Sequence, residues 1–151
     1  MANTQAMCTS FKGELLTATH NFGTAPTRGT GAADTFSAAL YLASSTINAA
    51  TTVYTTTGEV TGAGYTAGGV QITNLTAPAT SGTTAYWTPS ASIVYTGVTL
   101  SVAFDAVLIY NTSQSNKAVS VHTFGSQTVT AGNFTLIMPT NAAGTALLNI
   151  A

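Results

Sequence analysis

Charge is what this sequence has least of. Only 5% of its 151 residues are charged, against about 25% in ordinary soluble domains. The charged side chains are Lys12, Glu14, Arg28, Asp34, Glu59, Asp105 and Lys117. Three cations cannot build a basic stripe, which excludes nucleic acid as a partner. Cys8 is the only cysteine, so no internal disulfide forms. Long apolar runs are also missing. The longest, Leu100 to Tyr110, is interrupted by Ser101 and Asp105 and falls short of a membrane span. Met1 to Ser10 has neither the basic nor the apolar region of a secretory signal. The expectation is a soluble protein with no membrane partner, made and assembled where it is translated.

What remains is apolar and neutral-polar. Hydrophobic residues make up 45% of the chain, enough for a folded core and contrary to global disorder. The outside must then be covered largely by Thr, Ser, Asn, Gln, Gly and Ala. Such a surface can enter contacts without the desolvation cost of Lys or Glu. A net charge of −1 also favours association.

Along the chain, residues 1–35 read as an arm, a short helix and an extended loop, and residues 36–151 as a β-sandwich domain. A helix is expected from Thr9 or Ser10, with Phe11, Leu15, Leu16 and Thr19 on one side and Gly23 as its stop. Asn21 to Thr35 is a loop rich in Gly, Pro and Thr. Alternating Phe36, Ala38, Leu40 and Leu42 predict a half-buried strand over Phe36–Ala43. Further short strands are expected at Val53–Thr57, Val70–Asn74, Ala85–Thr88, Ile93–Leu100, Lys117–Phe124, Val129–Met138 and Ala146–Ile150. Ala103–Asn111 is apolar on both faces and reads as a central strand. Asn111–Asn116 is its hairpin loop. The fold class is all-β and antiparallel, a sandwich or jelly roll with one N-terminal helix.

Candidate chemistry is thin. His20 and His122, with Cys8 or Asp105, are the only conceivable metal ligands, and none shows the close-pair spacing of a structural zinc site. A Ser-His-Asp set can be written from Asp105, His122 and one of many serines, but no Gly-x-Ser-x-Gly elbow supports it. The carboxylates Glu14, Asp34, Glu59 and Asp105 are far apart for paired acid–base work. The Gly-rich run Gly58–Gly69 lacks the Gly-Lys-Ser/Thr ending of a phosphate loop. Its Glu59 can accept backbone N–H bonds, and Tyr65 can pin the turn by packing its ring. Tyr86, Trp87 and Tyr95 are either a sugar-stacking platform or core and interface anchors. The expectation is a non-enzymatic protein with no catalytic, cofactor or metal residues.

Three segments carry a family resemblance. They are the helix and loop leading to Leu40-Tyr41-Leu42-Ala43; Gly58–Val70, sharpest at Glu59–Tyr65; and Phe104–Asn111, sharpest at Leu108–Asn111, followed by Lys117–Val121 and Phe134–Pro139. Their order resembles small virion proteins of tailed bacteriophages, either head decoration (cement) or tail-fibre-like proteins. The resemblance implies a structural role in the virion, assembled in the bacterial host cytoplasm. It implies as partners the protein itself, with a homotrimer as first guess, and the major capsid protein, or alternatively tail or neck proteins. A carbohydrate-binding module is the rival reading from another class.

Overall fold

The structure, a computed structural model, describes residues 2–16, 18–22 and 33–151. Apolar residues on both faces of 103–111 suit a central strand, and this segment pairs with a strand on either edge. A five-stranded sheet has the order β1-β7-β6-β2-β3, and a three-stranded sheet the order β4-β5-β8. The strands are β1 (Ala6–Met7), β2 (Phe36–Leu42), β3 (Val70–Ile72), β4 (Ala79–Ser81), β5 (Thr84–Trp87), β6 (Ile93–Asn111), β7 (Lys117–Leu136) and β8 (Leu148–Ile150). All pairings are antiparallel. A single short helix, α1 (Thr9–Leu16), lies between β1 and β2. The chain is therefore all-β with one N-terminal helix. Among the described residues, no helix is long and apolar enough to cross a membrane.

Several elements differ from expectation for identifiable reasons. The pairs Ile93–Leu100 with Ala103–Asn111, and Lys117–Phe124 with Val129–Met138, are each one continuous strand, 19 and 20 residues long. Gly97 and Ala131, within the expected strands, make local irregularities. Both have positive φ, +63° and +47°, and the pairing register shifts on either side of Val98. Val53–Thr57 is no strand. It keeps one bridge, Val53 to Lys117, and spends its polar groups elsewhere. Leu148–Ile150 is shorter than expected, and β4 was not foreseen.

The strand expected to be half-buried, β2, is buried on both faces from Phe36 to Tyr41. One face is covered by residues 44–69, where Tyr54 stacks on Tyr110 at 4.7 Å and the Tyr41 hydroxyl donates to Thr55 O. The other carries Phe36, which stacks on Phe22 at 4.5 Å. Phe22 in turn meets Phe11 and Trp87 edge-on. Through Trp87 of β5 this cluster joins the small sheet to the large one.

The helix stops at Leu16, not at Gly23. Ala18 takes φ +52°, and the Thr19 N–H reaches back to Glu14 O at 3.0 Å. That left-handed residue closes the last turn and puts Thr19 outside the helix. Phe11 is buried and Leu15 half-buried, as expected of the inward face. The expected stop Gly23, the loop's Pro26, Gly29 and Gly31, the side chain of Leu16, and Arg28 lie outside what is described.

Residues 2–10 are built into the sheet that follows them. Ala6 and Met7 pair with Val121 and Ser120 of β7, and Cys8 N–H donates to Val119 O at 3.0 Å. Asn3 is the anchor. Its Nδ2 donates to Leu42 O at 3.0 Å and to Asp105 Oδ1 at 2.6 Å, while its Oδ1 accepts from Ile47 N–H at 3.1 Å. Asn3→Ala should cost about 1–3 kcal/mol, because a carboxylate and two backbone groups lose their partner together. Urea unfolding should show a lower midpoint with an unchanged slope.

Candidate functional site

The polar groups gather in two networks. The first surrounds Glu59, which is 6% exposed. Its Oε2 accepts from the Tyr54 hydroxyl at 2.6 Å. Its Oε1 accepts from the Tyr65 hydroxyl and from Gly68 N–H, both at 2.7 Å. Tyr65 Oη in turn accepts from Leu40 N–H at 3.0 Å. Among the described residues no cation touches this carboxylate, so dipoles alone compensate its burial. Burial first, and then the bond to Glu59, raise the Tyr54 and Tyr65 hydroxyls above the ordinary phenol range, so both remain neutral donors.

The site follows from the Gly-rich run. From Gly58 the chain turns along the edge of β2, with Leu42 N–H donating to Gly58 O at 2.9 Å and Val60 N–H to Leu40 O at 3.0 Å. It crosses β6 where Thr99 N–H donates to Ala63 O at 2.8 Å. A Cβ on Gly62 would lie 2.0 Å from Thr99 O, and one on Gly69 (φ +74°) 1.7 Å from Ala38 O. Only glycine allows the strap to lie this close to two strands. Sequence reasoning placed Glu59 as an acceptor of turn N–H groups, of which it takes one, Gly68, and Tyr65 as a pin through its ring, where the hydroxyl makes the tie to Glu59 and Leu40. It missed Tyr54, hidden in a Thr-rich stretch that reads as a strand.

The second network links α1, His20, Asp34 and the β6–β7 hairpin. Lys117 Nζ lies 2.5 Å from Glu14 Oε1, and Glu14 Oε2 lies 2.6 Å from His20 Nε2. His20 Nδ1 is 3.0 Å from Asn111 Nδ2, which also donates to Asp34 Oδ2 at 2.7 Å. Asn111 Oδ1 accepts from Ser113 N–H at 3.0 Å, which fixes the amide's orientation. Nδ1 of His20 is therefore the acceptor and Nε2 carries the proton toward Glu14. Burial pushes the Glu14 carboxyl up, but hydrogen bonds and charges from Lys117 and His20 outweigh it and hold it below its ordinary range. The His20 side chain is fully enclosed, and the chain of charges meets solvent chiefly at Lys117, whose side chain is 37% exposed. Its geometry suits a clamp.

The remaining candidates do not come together. His122 is half-buried on β7, with Ser120 Oγ 2.9 Å from its Nε2. Burial depresses its imidazole to about 4. Cys8 is fully buried, with its thiol pushed up to about 11 by burial and by Glu14. Asp105 is held by Asn3. Among the described residues, no three His, Cys, Asp or Glu side chains cluster as a metal set would. Trp87 and Tyr95 are each 2% exposed. The Trp87 indole donates to Thr76 O at 2.9 Å, and the Tyr95 hydroxyl to Ala38 O at 2.8 Å. These two rings are core, so the sugar platform with Tyr86 is not formed. An apolar hollow of about 130 Å³ between α1, β5 and β8 is lined by Phe11, Leu15, Phe22, Trp87 and Leu148 among others. All its walls are aromatic, aliphatic or proline, without the placed polar groups that orient a ligand.

Compared with known proteins, the chain matches no family model, no curated protein and no solved structure.

The Glu59 network and the His122 ring each carry a measurable cost. Glu59→Ala leaves two tyrosine hydroxyls and Gly68 N–H without their acceptor and should cost on the order of 3 kcal/mol or more; Tyr65→Phe should cost about 1–2 kcal/mol. Denaturant titration of both variants measures this. For His122 the folded state favours the neutral ring, so its contribution is full above about 6.5 and is lost as pH falls toward about 4. The unfolding midpoint should decline across that window, and His122→Gln should flatten the decline.

Proposed function

We propose that this chain is a non-enzymatic structural subunit of a tailed-phage virion, a decoration protein that binds the assembled head and stabilises it. The observation that carries the reading is where the few charges sit. Of the six described charged residues only Lys12 is exposed. Glu59 and Asp34 are buried, Glu14 pairs with Lys117, and Asp105 is bound by Asn3. The outer surface of the described residues is thus poorer in charge than the composition alone suggests. Covering it by neighbours forfeits almost no ionic hydration. The resemblance of the Glu59–Tyr65 and Leu108–Asn111 stretches to small virion proteins gives the assembly its identity. Binding to the closed shell but not to its dissociated subunits would stabilise the shell by mass action.

A second reading, a tail or neck fibre subunit, draws on the same resemblance, which takes in tail-fibre-like as well as head decoration proteins.

Copy number separates the two. Gel densitometry of purified virions should show this chain at a level comparable to the shell protein, following the icosahedral lattice. A band about a tenth of that or less would fit the symmetry of the tail and overturn the decoration reading. Particles stripped of the chain should lose heat resistance.

A further inference from the structure

Every sheet edge leaves a row of N–H and C=O groups without strand partners, and proteins normally shorten, charge, bulge or cover such edges. This chain does so almost everywhere. The strap 58–69 covers β2, while β3, β4 and β8 are each three residues long. Among the described residues, the longest uncovered run is on β7. β6 occupies one side of it, and on the other β1 reaches only Ser120 and Val121. From Thr123 to Leu136 no strand lies beside it among the described residues. No protective charge lies there either, since from Ala118 to Ala151 the sequence has no Asp, Glu, Lys or Arg, and its first proline is Pro139.

Irregularities interrupt part of this edge. Ala131 has φ +47°, and the register shifts repeatedly between Gly132 and Thr123. Beyond them the edge is regular. Phe134, Thr135 and Leu136 face Tyr95, Val94 and Ile93, and the extra residue near Gly97 sits on β6, where Gly97 N–H donates to Asn133 Oδ1 at 2.9 Å. We propose that the outer edge of β7 from Gly132 to Leu136 docks a second copy of the same edge, antiparallel about a two-fold axis.

The edge is complementary to itself. With the axis at Phe134, Asn133 meets Thr135 of the other copy on the exposed face, and Gly132 leaves room opposite Leu136. Beyond the strand, Ile137, which is 84% exposed, falls opposite Ala131. No like charges meet, whereas an edge bearing lysine would repel its own copy. A two-fold contact uses one surface for both partners and so needs no second complementary patch. It gives an even-numbered particle in place of the trimer expected from virion symmetry. The inference deepens the assembly reading above by naming a surface for it.

The test uses the whole chain. Sedimentation velocity over micromolar to hundred-micromolar concentrations should show a monomer–dimer equilibrium. Thr135→Lys should weaken it about tenfold or more, whereas Ser101→Lys, exposed on β6, should leave it unchanged. A mixture of Asn133→Cys and Thr135→Cys proteins should form a disulfide-linked heterodimer under mild oxidation faster than either protein alone, with buried Cys8 silent. A dimer indifferent to Thr135→Lys overturns the edge and leaves the assembly reading standing. A monomer at every concentration that still binds purified shells overturns self-docking alone, and one that binds neither itself nor shells defeats both. If Thr135→Lys abolishes shell binding by such a monomer, the edge takes a strand of the shell protein instead of its own copy.

Discussion

A carboxylate buried without a cation must be surrounded by donors that are themselves held in place, and Glu59 sets that requirement here. Its three donors come from three points along the chain: Tyr54 before it, Tyr65 and Gly68 after it. Satisfying them fixes the path of the strap, and the strap supplies the main-chain partners that Leu40 and Leu42 lack once β3 ends. Burying a polar network is unfavourable unless every member is satisfied. Here Tyr65 accepts from the β2 backbone with the same oxygen through which it donates to Glu59, tying carboxylate and sheet edge together.

The same economy governs the rest of the charge. Lys117, Glu14, His20, Asn111 and Asp34 form a chain of contacts across the seam where α1 meets the hairpin. Their role is orientation. Hydrophobic contacts between Phe11, Phe22, Phe36 and Trp87 bring the helix onto the sheet, and directional bonds select one placement. A protein with so few ionisable groups places them where geometry must be specified, and leaves its outside to hydroxyls and amides.

The all-β class, the helix at Thr9 and the central strand ending at Asn111 were legible because periodicity reports burial directly. The lengths of β6 and β7 were not. Glycine in a strand marks a turn or a bulge equally well, and only the partner strand decides which. Val53–Thr57 failed for the opposite reason. Its β-branched residues suit a strand, but Thr55 O and the Tyr54 hydroxyl are committed to Tyr41 and Glu59. Half of the Glu59 site could be read because its residues are adjacent in sequence. The clamp around His20 could not, since Glu14, Asp34, Asn111 and Lys117 meet only after the sheet has formed.

The arm has a consequence for how the chain reaches its native state. Asn3 binds Asp105, 102 positions further on, and Ala6 pairs with Val121, so this segment has no place until those later residues are in position. β2 likewise waits for β6. Local contacts are few, and closing such long loops precedes the reward of pairing. Folding is therefore expected to be slow for a domain of this size, with β1 docking last, onto a hairpin that must already be complete. Until then the edge of β7 at Ser120 and Val121 is as open as the rest of that strand, and the arm acts as the latch that finishes the sheet.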